Sequence, residues 1–155
     1  MGGISGDGGK WKRGTRLAAA PGDGQRADMK SQFWVYAAAA YNVALAGFHL
    51  GFWRLFRWRE ELPKLQPVNR GVLPVLNIML TFVFLAVAAL QVGWAREVGG
   101  TALGRALLGM MAGFWLLRAA LQPVFWAPLP RTTNLLFSLL FLTGAGLHLL
   151  ALLPA

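Results

Sequence analysis

The chain contains no cysteine, so disulfides, thiolate metal sites and CxxC redox chemistry are excluded. Acids are scarce: 6 Asp and Glu stand against 15 Lys and Arg in 155 residues, for a net charge of +9. Every acid, from Asp7, Asp23 and Asp28 to Glu60, Glu61 and Glu97, lies outside the long apolar runs. That removes the intramembrane carboxylate on which a proton-coupled exporter relies as its switch. A nucleophile with a neighbouring base is also missing, because Ser138 and His148 are separated by about three helical turns. Gly99 and Gly100 form a bare turn without the Lys-Ser or Lys-Thr of a phosphate loop. We therefore expect no enzyme, no cofactor and no metal site.

Apolar residues dominate instead. A hydrophobic content of 56% with only 14% charged residues identifies the chain as an integral membrane protein. The basic residues flank apolar spans and do not line one soluble face, so anionic lipid headgroups, not nucleic acid, are their expected partners. Four runs approach the roughly 20 residues needed to cross a bilayer, at about 33–53, 72–95, 102–122 and 134–153. Short links between them predict an all-α fold, an antiparallel bundle of four transmembrane helices over 33–155. Trp34, Trp53, Trp58 and Trp94 stand near the span ends, as interfacial anchors do.

Residues 1–32 are basic and glycine-rich, with LAAA as their only apolar run, too short for a signal-peptide core of about 7 to 15 residues. Gly6 stands where a myristoylation pattern needs Ser or Thr. This segment reads as disordered, and Met29 just before the first span suggests that 1–28 stem from a misplaced start. After the first span the helix is expected to continue through Arg54, Arg57 and Arg59 to Leu62, stopped by Pro63, with Glu60 and Glu61 pairing with Arg57. Lys64 and Arg70 complete the most basic loop, whose five cations suit lipid headgroups. Asn69 is a candidate cap for the second span, and Pro123 is expected to end the third.

Polar residues inside spans are costly and so point to function or to helix packing. Asn77, Thr81, Phe84, Ala88 and Gln91 share one face of the second span, as Asn42 and His49 do on the first. At about 1.5 Å rise per residue, His49, Asn77 and Arg118 come to similar depth beneath the basic loop, with Gln122 nearer the surface. Gln91, Arg105 and His148 form a second layer toward the opposite surface, too far from His49 for the two histidines to share a metal. Arg118 is a permanent cation with no acid in any span. Either it snorkels to lipid phosphate, or it pairs with Glu60 or Glu61, or it joins His49, Asn77 and Gln122 in a pocket for an anionic or carbonyl-bearing ligand such as a lipid headgroup or quinone.

Two GxxxG spacings, Gly47 with Gly51 and Gly109 with Gly113, mark candidate helix contacts, the first on a small-residue face with Ala40 and Ala44. Function therefore reads first as contact: with a second copy, a partner membrane protein or anionic lipid. The alternative is a small carrier or binder of lipid or quinone.

An Ala-, Arg-, Gly- and Leu-rich composition suggests a bacterial inner membrane. Without residues 1–28, one side carries Lys30, Arg96 and Arg105, and the other Arg54, Arg57, Arg59, Lys64, Arg70, Arg118 and Arg131. The positive-inside rule then puts the 54–70 loop in the cytoplasm and the C-terminus outside. A reporter active only in the cytoplasm should thus be silent at the C-terminus and active in the 54–70 loop, and the reverse pattern contradicts this topology.

Overall fold

The computed structural model describes residues 22–126 and 128–153. The expected disorder of 1–21 and the question of where the chain starts lie outside these residues. Four helices are long and apolar enough to cross a membrane, and they form the expected all-α antiparallel arrangement. Helix α1 spans Asp23–Leu50, α4 Pro67–Gly93, α6 Ala102–Phe125 and α7 Arg131–Leu152. Between them lie three short helices, α2 (Phe52–Leu55), α3 (Trp58–Glu61) and α5 (Ala95–Gly100). Residues 23–32, assigned from sequence to the disordered segment, are the first turns of α1.

Several boundaries differ from those read in the sequence, for local reasons. The helix does not run on to Leu62. It breaks at Gly51 and again at Arg57, whose φ of 50° is left-handed, before a 3-10 turn at Leu62–Lys64. Asn69 does not cap α4; the helix begins two residues earlier at Pro67, because proline is preorganised for the first helical position and has no N–H to leave unpaired. Pro123 does not end α6, which continues to Phe125. Glu60 pairs with Arg57, but Glu61 pairs with Lys64 at 2.8 Å.

Helix α1 is the centre of the arrangement, packed on α4 along one side and α7 along another, while α6 packs on α7. The backbones of α4 and α6 scarcely approach one another, so the bundle keeps a seam on that side. Large side chains bridge it: Phe84 of α4 meets Phe114 of α6 edge to face at 5.8 Å and stacks on Trp115 at 5.1 Å. One core gathers Leu45, Phe84, Met111, Trp115 and Phe141. A second, made by Val35, Leu108 and Ala151, is plugged by Ala95 and Val98 of α5.

The close helix approaches fall on glycines other than the GxxxG pairs. Gly47 and Gly113 are exposed with nothing near, Gly51 meets only its own helix, and Gly109 is just within 4.0 Å of Leu152. Spacing alone does not say which face turns inward. Gly104 of α6 lies against the backbone of Glu97 and Val98 in α5, and the tight crossing of α1 with α7 is at Gly144, where a β-carbon would come within 2.6 Å of the Tyr41 ring. Tyr41 cannot easily yield, since its hydroxyl donates to the Leu140 carbonyl at 2.8 Å and its ring meets Trp115 edge to face. We expect Gly144→Ala to lower stability by about 1 to 3 kcal/mol in detergent unfolding while Gly47→Ala changes little; equal stability of the two variants contradicts this packing of α1 on α7.

Candidate functional site

The polar residues of the spans gather into separate clusters. In the layer away from the basic loop, Asn42, Gln91 and His148 meet from three helices with no exposure at all. The Asn42 amide nitrogen lies 3.0 Å from Gln91 Oε1, to which it donates, and 3.3 Å from His148 Nε2. His148 Nδ1 is 2.7 Å from the Gly144 carbonyl, which can only accept, so Nδ1 carries the proton and Nε2 accepts from Asn42. Arg105, placed in this layer by depth, is exposed. The triad ties α1 to α4 and α7. Depth ordering alone left Asn42 between the layers, whereas its position two turns before His49 on the same face puts it against Gln91.

The layer beneath the basic loop is built differently. His49, at the last turn of α1, has Nδ1 2.8 Å from Asn77 Oδ1, and Asn77 Nδ2 donates to the His49 carbonyl at 3.0 Å. That carbonyl fixes the amide orientation of Asn77, which makes Oδ1 the acceptor and Nδ1–H the donor. His49 Nε2 is therefore a lone-pair acceptor, with no partner among the described residues. Thr81 returns its hydroxyl to the Asn77 carbonyl at 2.8 Å and so adds no free polar group.

His49 and Arg118 line one cavity of about 180 Å³ whose walls are mostly aromatic, including Phe48, Phe84, Phe114 and Trp115. The Arg118 guanidinium lies 4.2 Å from the centroid of Phe141, a core residue, and 5.8 Å from that of Trp126. It forms no ion pair among the described residues, and Glu60 and Glu61 are occupied by Arg57 and Lys64. Trp115, only 1% exposed, carries an indole N–H with no hydrogen-bond partner among the described residues. The cavity wall thus holds a free cation and a free acceptor, and a buried donor belongs to one of its residues.

Gln122 is not brought to this cavity. It is buried, and its amide donates to Asn134 Oδ1 at 3.0 Å, while Asn134 donates to the Trp126 carbonyl at 2.9 Å. This link ties the end of α6 to the start of α7 across the proline-rich turn. The depth argument missed Asn134, although the carbonyls of a turn with several prolines need side-chain donors. Sequence reasoning also missed the aromatic walls, which a list of polar residues passes over. Arg54, Arg59 and Arg70 are exposed and form no ion pair among the described residues.

These features define a small four-span membrane protein with an aromatic, cationic cavity on one side of its bundle. No protein-family model matches the chain, nor does any curated protein or solved structure. For the buried triad, Asn42→Leu should remove two hydrogen bonds and lower stability by roughly 1 to 3 kcal/mol, given about 0.6 to 1.7 kcal/mol per hydrogen bond inside membranes. Adding His148→Leu to Asn42→Leu should cost less than His148→Leu alone, since the shared bond is already gone and only the bond to Gly144 is left to lose; full additivity in unfolding measurements contradicts the triad.

Proposed function

We propose that this protein binds, and does not transform, an amphiphile whose anionic headgroup enters the cavity between His49 and Arg118. The observation that carries this reading is Arg118 turned inward over Phe141 with no counter-charge among the described residues. An arginine within a span costs about 2.5 to 3.5 kcal/mol by insertion measures, with less near the interface. A cation–π contact returns roughly 0.5 to 2 kcal/mol of that, and leaves the charge itself uncompensated. An anion drawn from the membrane supplies what the spans lack. His49 Nε2 adds a second contact by taking up a proton on binding and donating it in a hydrogen bond to the headgroup. Asn77 acts as a positioning residue that fixes the His49 ring, and Gln122 as one that holds the end of α6.

The aromatic walls favour a second occupant for the same cavity, the ring of a quinone. Its volume of about 180 Å³ exceeds the roughly 150 Å³ known to admit one benzene ring, so size does not separate the two. Charge does, because a neutral ring leaves Arg118 uncompensated.

Contact roles complement binding in this reading. The exposed Arg54, Arg59 and Arg70 meet anionic headgroups of a bacterial inner membrane, with the basic loop cytoplasmic. The exposed face of Ala40, Ala44, Gly47 and Gly51 is suited to a second copy or a partner membrane helix.

A ligand at a hundredfold excess over its Kd raises stability by about 2.7 kcal/mol. In neutral detergent, acidic amphiphiles should therefore raise the Tm of the wild type, whereas prenyl quinones should do so weakly. Arg118→Leu and His49→Ala should each abolish the rise. If both variants respond as the wild type does across a panel of lipids and quinones, the cavity is not the binding site.

A further inference from the structure

The cavity lies beside the seam between α4 and α6, whose backbones scarcely approach one another. On the same side of the bundle, toward the opposite surface, lies an apolar groove of about 460 Å³, lined by Leu90 of α4 and Ala106, Leu107 and Met110 of α6 and closed at its far end by Val98 of α5 and Thr101, with Glu97 at its rim. From Leu80 at the cavity to Leu90 in the groove the helix rises about 15 Å. A cationic head position at Arg118 and a largely apolar groove thus lie along the same two helices, at a separation an extended acyl chain can span.

We propose that this site takes a single-tailed long-chain carboxylic acid from within the membrane, its head at Arg118 and His49 and its tail laid along the α4/α6 seam. The proposal rests on the binding function stated above and adds the ligand class and the route. Charge complementarity sets the head: the ionised carboxylate accepts from Arg118 through one oxygen, and the proton the acid releases is taken up by His49 Nε2, which then donates to the other oxygen. Size favours a carboxyl, since a cavity of about 180 Å³ roofed by Phe52, Phe56 and Trp126 suits a compact head better than a substituted glycerophosphate. The separation of the α4 and α6 backbones sets the tail, leaving one slot between two helices. Because lipid tails are as apolar as the groove, the slot orients the ligand and the headgroup contacts hold it.

The test uses the whole protein in phosphatidylcholine nanodiscs. Two photoreactive fatty acids are applied, one with a diazirine at the tail end and one with the diazirine near the carboxyl, and the labelled residues are mapped by mass spectrometry. We expect the tail-end probe to label Leu90, Leu107 and Met110, and the head-end probe to label the cavity. Arg118→Gln should reduce both labels by about tenfold or more, as loss of a buried charge partner does. Ala106→Trp, which fills the groove, should remove the tail label and spare the head label.

Tail labels scattered over lipid-facing positions such as Leu76, Phe82 and Leu136, with the head label still dependent on Arg118, overturn the tail slot and leave the binding function standing. Labels that ignore Arg118 at both ends overturn both. Competition by a lysophosphatidic acid or a prenyl quinone but not by unlabelled palmitate overturns the carboxylic acid assignment.

Discussion

A guanidinium placed inside a bundle whose spans contain no carboxylate constrains the rest of this structure. Arg118 cannot lose its proton and finds no acid among the described residues, so its surroundings must make up the difference. The aromatic rings beside it offer their electron-rich faces, Phe141 at 4.2 Å foremost. Asn77 turns His49 so that an acceptor remains free in the same cavity. Gln122, one turn beyond Arg118, is tied to Asn134 and pins the end of the helix that carries the cation. The polarity of the cavity follows from that one charge being held beside it.

The opposite layer is closed by the same rule applied to neutral groups. Lipid offers no hydrogen bonds, so Asn42, Gln91 and His148 must serve one another. They join three helices and need nothing from outside to satisfy the Asn42 amine or either His148 nitrogen. This neutral cluster holds helices in register although Asn42 Oδ1 and Gln91 Nε2 find no partner among the described residues, whereas the unused capacity beneath the basic loop includes a charge. One end of the bundle is thus tied by neutral hydrogen bonds, and the other holds a cation with no ion pair among the described residues.

How much of this was legible in the sequence depends on which physical signal each feature carries. Hydropathy over 20-residue windows is strong, so the four spans and the all-α architecture were readable, as was the polar face of Asn77, Thr81 and Gln91. Rise per residue brought His49, Asn77 and Arg118 to one depth, and these three do stand around or beside the cavity. Depth cannot give azimuth, however, and Gln122 faces Asn134 instead. The GxxxG spacings failed as guides to packing within the bundle for the same reason: Gly47 and Gly113 face outward, while Gly144 meets Tyr41 because a large ring needs a gap opposite it. The break at Arg57 depends on a single left-handed residue and leaves no trace in composition.

The account stands on Arg118 recruiting an anion from the membrane, and native mass spectrometry reads this directly. Wild-type protein released from its own membranes should carry one acidic amphiphile that dissociates on activation, and the Arg118→Gln protein should carry none. An identical set of adducts on both proteins, or neutral lipids alone on the wild type, contradicts it.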